Sequence, residues 1–448
     1  MEILRFISLL PGKLFGSRLK MNFLSGALAT GLVAVLGLVK SPVYLHYMNY
    51  DGYGLYALLG IIPSLSALGM LGISNGVMRM VAEKFGEGDF EGLGEFVNTA
   101  VSFVFAVSCA VLCAVYILRC NFPHLLGIGA ENEDAFLAAF GVACILTFLT
   151  LLNAPLLGAL SGIGRLDLSN YFSLGISYSG FIFAFMLIGK LGLKGVFIGE
   201  ILGIFPIMLF EVIALRRNKV PLLSGALFKY SRFKELVGFG LPVASGTMMW
   251  TGTLSLLKVI IGRAAGVEAV GCFNLAYALC APAQSIIASA FGALVPEISI
   301  LAAQRGKEDM VARINRKAMK ISFAMAFALA AGMSVAGPLF IKIWLGSRFN
   351  QAVVDVFYAM LPTMFLATLI LMPYYNLLAA KRVGAFFCYY LSFSIICLGS
   401  ACVLAGASMA TLVNLGLCLS LGQAGAAVFI FTVSSPWWTK DMPSPAVS

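Results

Sequence analysis

Residues 216–235 read RRNKVPLLSGALFKYSRFKE, with six Lys or Arg and a single Glu. On either side of this segment the chain is almost uniformly apolar. A bilayer core about 30 Å thick takes roughly 20 apolar residues per helical crossing. Six such runs precede the segment, at about 22–48, 54–82, 96–118, 135–160, 171–189 and 195–215. Six follow it, at about 236–262, 270–296, 321–345, 352–380, 385–406 and 410–433. A transmembrane barrel would show alternating stretches of about ten residues instead, so the spans are helices.

Composition supports the same reading. Hydrophobic residues make up 60% of the chain and charged residues 11%, against roughly 45–50% and 25% in soluble proteins. Too few charges remain to cover a soluble surface, which excludes a soluble enzyme and a disordered chain. The expected architecture is an all-α polytopic membrane protein of about 12 transmembrane helices, in two parallel six-helix halves around a central cavity. Its parts are an N-terminal segment (1–21), a first lobe (22–215), the basic linker (216–235), a second lobe (236–433) and a tail (434–448). The apolar stretch Ile3–Leu10 is short, is broken by Pro11, and leads through Arg18 and Lys20 into the first span without a small-residue cleavage site, so no cleaved signal is expected.

The net charge of +10 is a topology signal. With the N-terminus inside, 22 of the Lys and Arg fall on that side, six fall on the other, and Lys40 and Lys258 lie within spans. Positive loops stay cytoplasmic, so both termini are expected in the cytoplasm, and nucleic-acid binding loses its support. Of ten cysteines, all but Cys120 fall in predicted spans and none forms a C-x-x-C pair. With only two histidines, no zinc site is expected.

The halves share landmarks at an offset of 218 residues: Lys40 with Lys258, Gly88 with Gly306, Pro155 with Pro373 and Tyr171 with Tyr389. An even number of spans makes the repeat parallel, an arrangement that places a substrate cavity between halves. Charges inside a span cost roughly 2.5–3.5 kcal/mol each. Lys40 would lie about 12 Å deep if its span ends near Met48, whereas Lys258 stands four residues before Gly262. Either lysine could snorkel to headgroups, or both could face the cavity, one from each half. Arg79, closing span two, is a third candidate cation or a topogenic one. Glu200 and Glu211, three turns apart in span six, could pair with the lysines or titrate. Asp355 reads as a surface residue of a helix start. Tyr44, Tyr47, Tyr50, Tyr53 and Tyr56 recur every three residues as an interfacial belt or a sugar-stacking surface. Tyr374–Tyr375 and Tyr389–Tyr390 invite the same two readings. Trp437 and Trp438 read as interface anchors. No Walker A, H-E-x-x-H or G-x-S-x-G pattern occurs, so no catalytic residue, metal or cofactor is expected.

The layout resembles the MOP (multidrug/oligosaccharidyl-lipid/polysaccharide) superfamily, in particular its bacterial O-antigen and polysaccharide-export flippases. The likeness rests on Tyr53-Gly-Leu-Tyr56, Leu71-Gly-Ile-Ser-Asn-Gly-Val-Met-Arg79, Phe239-Gly-Leu-Pro242, Val270-Gly-Cys-Phe-Asn-Leu-Ala-Tyr277 and Trp344-Leu-Gly346. Members often carry an acid before the basic residue of span seven, but here the stretch is Leu257-Lys258-Val-Ile-Ile-Gly262. The resemblance implies translocation of an undecaprenyl-diphosphate-linked oligosaccharide across a bacterial inner membrane for O-antigen or lipopolysaccharide biosynthesis. It also implies a cationic cavity, with Lys40, Lys258, Arg79, Tyr44 and Tyr374 as candidate contacts, and proton or sodium coupling through Glu200 and Glu211. Membrane lipids and other polysaccharide-assembly proteins are the implied partners. The alternatives are a cation-coupled drug or metabolite antiporter of the same superfamily and a membrane polysaccharide polymerase. The polymerase is disfavoured by the shortness of the longest outside loop, Arg119–Asp134.

Overall fold

In lipid, a spanning segment must satisfy its backbone groups internally, and the apolar runs do so as helices. The computed structural model describes residues 17–222, 226–292, 308–379, 383–407 and 409–434. Among these, every regular element is helical. The segment 1–16, Arg305, Gly306, Lys307, Lys381, Arg382, Trp437, Trp438 and the end of the tail lie outside the described residues.

The first half comprises α1 (Ser17–Leu59), α2 (Ile61–Ser66), α3 (Ile73–Glu87), α4 (Phe90–Ile117), α5 (Phe122–Leu126), α6 (Ala130–Gly162) and α7 (Leu166–Arg217). The second comprises α8 (Tyr230–Ala265), α9 (Val267–Gly292), α10 (Glu308–Leu345), α11 (Gln351–Leu369), α12 (Leu371–Ala379), α13 (Val383–Gly406) and α14 (Leu412–Ser434). Eight of the described helices are long and apolar enough to cross a membrane. Two of these hold a turn: α1 at Asn49 (φ 56°) and α7 at Gly192 (φ 53°). Counting those two as pairs, and adding α8 and α9, gives twelve spans.

Two spans are less continuous than their sequence suggests. Span two stops after Ser66, passes through a 3-10 turn at Ala67–Met70, and restarts at Ile73 through left-handed Leu71 and Gly72. Span ten breaks at Ile370 between α11 and α12. Pro63 and Pro373 each stand third in the short helix after a break, in the first turn, where the missing N–H costs nothing. Pro155, the repeat mate of Pro373, lies inside the unbroken α6. The repeat register therefore does not fix local geometry.

Each half packs mainly on itself: α7 against α1 and α6, and α14 against α11 and α13. The halves meet along two seams. In one, α3 crosses α8 near the linker; in the other, α1 meets α9 near the turn at Asn49. We call the membrane face bearing residues 216–235 the linker face, and the other the turn face.

At the linker face, Lys229 and Arg232 at the start of α8 both pair with Glu95 of α4, and Arg232 lies 4.7 Å above the Phe96 ring. Asp89 caps α4 by accepting from the Gly92 N–H at 2.8 Å; that bond, aided by Lys84, holds its carboxyl below the usual range. The Glu95 cations remain partly open to solvent, so these pairs are weak, about 0–1 kcal/mol. Glu95→Gln is expected to shorten the thermal half-life of the purified protein only slightly, and the difference should shrink in high salt. A large, salt-independent loss would show that the clamp is structural.

Candidate functional site

Within the first half, α1, α6 and α7 enclose a cavity of about 300 Å³. Its polar lining is Lys40, Thr150, Asn153, Ser173, Ser177 and Glu200. Lys40 Nζ donates to Glu200 Oε1 at 3.4 Å, and Tyr56 OH donates to the same oxygen at 3.4 Å. About a fifth of each charged side chain is exposed. Lys40 thus turns into its own half and is neutralised there, rather than reaching toward headgroups. Beyond the cavity, Glu211 is completely buried, and the Asn153 amide, turned with its nitrogen inward, donates to its carboxylate. Glu211 is therefore an interior residue of the helix bundle.

Lys258 has the same repeat position and a different fate. Its Nζ donates to Asn274 Oδ1 at 2.8 Å. Asn274 Nδ2 donates to Tyr53 OH at 3.3 Å, and Tyr53 OH donates to Ser41 Oγ at 3.2 Å. Lys258 is half-buried, and among the described residues no carboxylate pairs with it. Lys40 lines the cavity of about 300 Å³ and Lys258 does not; the relay through Asn274 and Tyr53 ends on Ser41, the neighbour of Lys40.

The other candidates scatter. Arg79 is exposed midway along α3, its guanidinium 4.2 Å from the Phe239 ring centroid of α8, where it spans the α3–α8 seam. Tyr44 is 1% exposed, packed edge-on to Tyr56 and against Phe181, so it offers no accessible face in this conformation. Of the tyrosine series, Tyr47 is well exposed, whereas Tyr53 is buried. Tyr374 belongs to an aromatic cluster with Phe386, Tyr389 and Tyr390, ring centroids 5.0–6.4 Å away. Tyr390 OH donates to Tyr374 OH at 3.4 Å. The cluster is partly exposed in the second half, where the first half carries charge. Asp355 is exposed and accepts from Gln351. Among the described residues no cluster of His, Cys, Asp and Glu could hold a metal.

Sequence reasoning missed Asn153, Asn274 and Ser41. Two of them offered a faint signal, since an amide inside an apolar span must find a partner.

The fold and these intramembrane charges define a multi-pass membrane protein of transporter fold. Two family models match: one described as "Polysaccharide biosynthesis protein", over residues 171–354, and one described as "MatE", over residues 54–186. The search of curated proteins returned no match. Among solved structures, the chain is similar to an inward-facing multidrug resistance MATE family transporter of the MOP superfamily, with TM-score 0.75, 15% identity, and 91% of this chain and 93% of the other covered. An outward-facing MATE family transporter of that superfamily gives TM-score 0.66 at 15% identity, covering 95% and 97%. A MOP superfamily transporter from Pyrococcus furiosus, whose binding pocket is described as of reverse polarity, gives the same four values. The fold likeness to solved MOP superfamily transporters thus extends over nearly the whole chain, while each family model covers less than half of it.

Proposed function

We propose that this chain is a secondary transporter that flips an undecaprenyl-diphosphate-linked oligosaccharide from the inner to the outer leaflet of a bacterial inner membrane. The observation that carries the reading is Lys258, an ammonium inside a span, at the seam between halves, whose side-chain partner among the described residues is the neutral Asn274. A half-buried cation inside a span without a counter-charge is costly, and a diphosphate would relieve that cost. Coulomb attraction at such a site exceeds its value in water several-fold. The family model described as a polysaccharide biosynthesis protein spans this residue. Tyr374, Phe386 and Tyr390 would then stack on sugar rings. Both termini would be cytoplasmic, and coupling to a proton or sodium ion would use Glu200 and Glu211.

A second reading has its own support. The paired Lys40–Glu200 and the buried Glu211 put carboxylates in the first half, as a cation-coupled drug antiporter would need, and the similar multidrug transporters share the fold. Neutralising both lysines (Lys40→Gln with Lys258→Gln) separates the two. Surface polysaccharide should fall to the level of a deletion strain while drug resistance stays unchanged. Lost drug resistance with intact polysaccharide would overturn the flippase reading.

A further inference from the structure

We propose that Asn274 and Tyr53 form a latch that closes the turn-face seam, with Lys258 as the group that holds it and an anion at Lys258 as the group that releases it. The inference rests on the reading of Lys258 as an anion receptor and goes beyond it, because it assigns positioning roles to two residues that need not touch the substrate.

The latch crosses between halves. Lys258 and Asn274 belong to α8 and α9, whereas Tyr53 and Ser41 belong to α1. Nearby contacts show how tightly the halves approach here. A β-carbon on Gly54 would sit 2.1 Å from the Val267 carbonyl oxygen, and one on Gly271 would sit 2.6 Å from that of Tyr50. Three further bonds between the halves at the turn face end on backbone: Tyr50 OH to the Arg348 carbonyl at 2.7 Å, Trp344 Nε1 to the Leu38 carbonyl at 2.6 Å, and the Arg348 guanidinium to the His46 carbonyl at 3.3 Å. A backbone acceptor does not sense a ligand's charge. The Asn274–Tyr53 bond differs, because Asn274 is oriented by an ammonium.

Lys258 fixes which way the amide points. With Oδ1 accepting from Nζ, Nδ2 is directed at Tyr53. An anionic oxygen binds an ammonium more strongly than an amide oxygen does, so a diphosphate group would draw Nζ away. Asn274 would then lose the bond that sets its orientation, and the 3.3 Å bond to Tyr53 would lose its support. Substrate arrival would thereby be linked to opening of the turn-face seam, which alternating access requires.

Amide hydrogen exchange on the purified full chain tests this, with inorganic diphosphate as the probe. Asn274→Ala is expected to speed exchange in residues 50–58 and 268–276 about tenfold, the ratio that loss of a single hydrogen bond gives, while residues 136–147 of α6 stay at wild-type rates. Tyr53→Phe removes only the hydroxyl and should open the same segments, which keeps the test intact if Asn274→Ala folds poorly. Diphosphate should open them in the wild type and add nothing in Asn274→Ala. If both variants exchange at wild-type rates, the latch is wrong. If the variants open the seam but diphosphate does not, the anion trigger is wrong. Calorimetric binding of diphosphate, kept in Asn274→Ala and lost in Lys258→Gln, tests the underlying anion reading separately.

Discussion

Lys40→Met is expected to destabilise the purified protein by about 3 kcal/mol, the lower end of the range for removing one partner of a buried ion pair. The lower end applies because about a fifth of each side chain reaches solvent. Glu200→Gln alone should cost less than Lys40→Met, because its amide can still accept from Tyr56 and Lys40. The double variant Lys40→Met with Glu200→Gln should recover most of the loss, since a neutral pair carries no uncompensated charge. Thermal half-life in one detergent, read across all four proteins, gives this cycle. Additive losses would mean that the 3.4 Å contact couples nothing and that Lys40 is free for substrate. Strong coupling would mean that substrate must first displace Glu200, leaving that carboxylate open to an incoming cation.

That pair marks how far the sequence could be read. The twelve spans, the split at 216–235 and the two intramembrane lysines were legible because bilayer thickness and the cost of buried charge leave few alternatives. The partners were not. Glu200 is 160 positions from Lys40, and although the gap between the spans at 171–189 and 195–215 marks where α7 turns back, nothing local says that its second arm lies against α1. The equal register of Lys40 and Lys258 suggested a shared role. The structure gives one a carboxylate and the other an amide, because the residues facing them are not repeated: at the same offset, Glu200 corresponds to Cys418. The tyrosine series misled through its spacing, since a three-residue rhythm across the turn at Asn49 does not keep side chains on one face. The buried Glu211 was visible as a charge in a span, but its partner Asn153 is neutral and fifty-eight positions away, so only packing could reveal the pair.

The break in span two leads to the second large effect, expected for Gly72→Ala. Gly72 is in the left-handed region (φ 69°, ψ 19°), and a β-carbon there would lie 2.2 Å from the Gly240 carbonyl oxygen of α8. Two costs therefore act together. Left-handed backbone in an L-residue costs about 1–2 kcal/mol, and forcing atoms into a packed contact adds about 1–3 kcal/mol. Gly88 separates them. It adopts nearly the same backbone (φ 74°, ψ 13°), yet a β-carbon there would meet nothing within 4 Å. Gly88→Ala should thus lose only the conformational part, while Gly72→Ala should lose both and shorten the thermal half-life far more. The distinction reaches function, because Gly72 and Gly240 are where α3 and α8 bring the two halves into backbone contact at the seam near the linker. If the halves rock about this crossing, Gly72→Ala should slow transport beyond what its reduced amount of folded protein explains, and Gly88→Ala should not. Equal effects of the two substitutions, on half-life and on transport per folded molecule, would show that the crossing is neither a tight contact in the membrane nor a pivot.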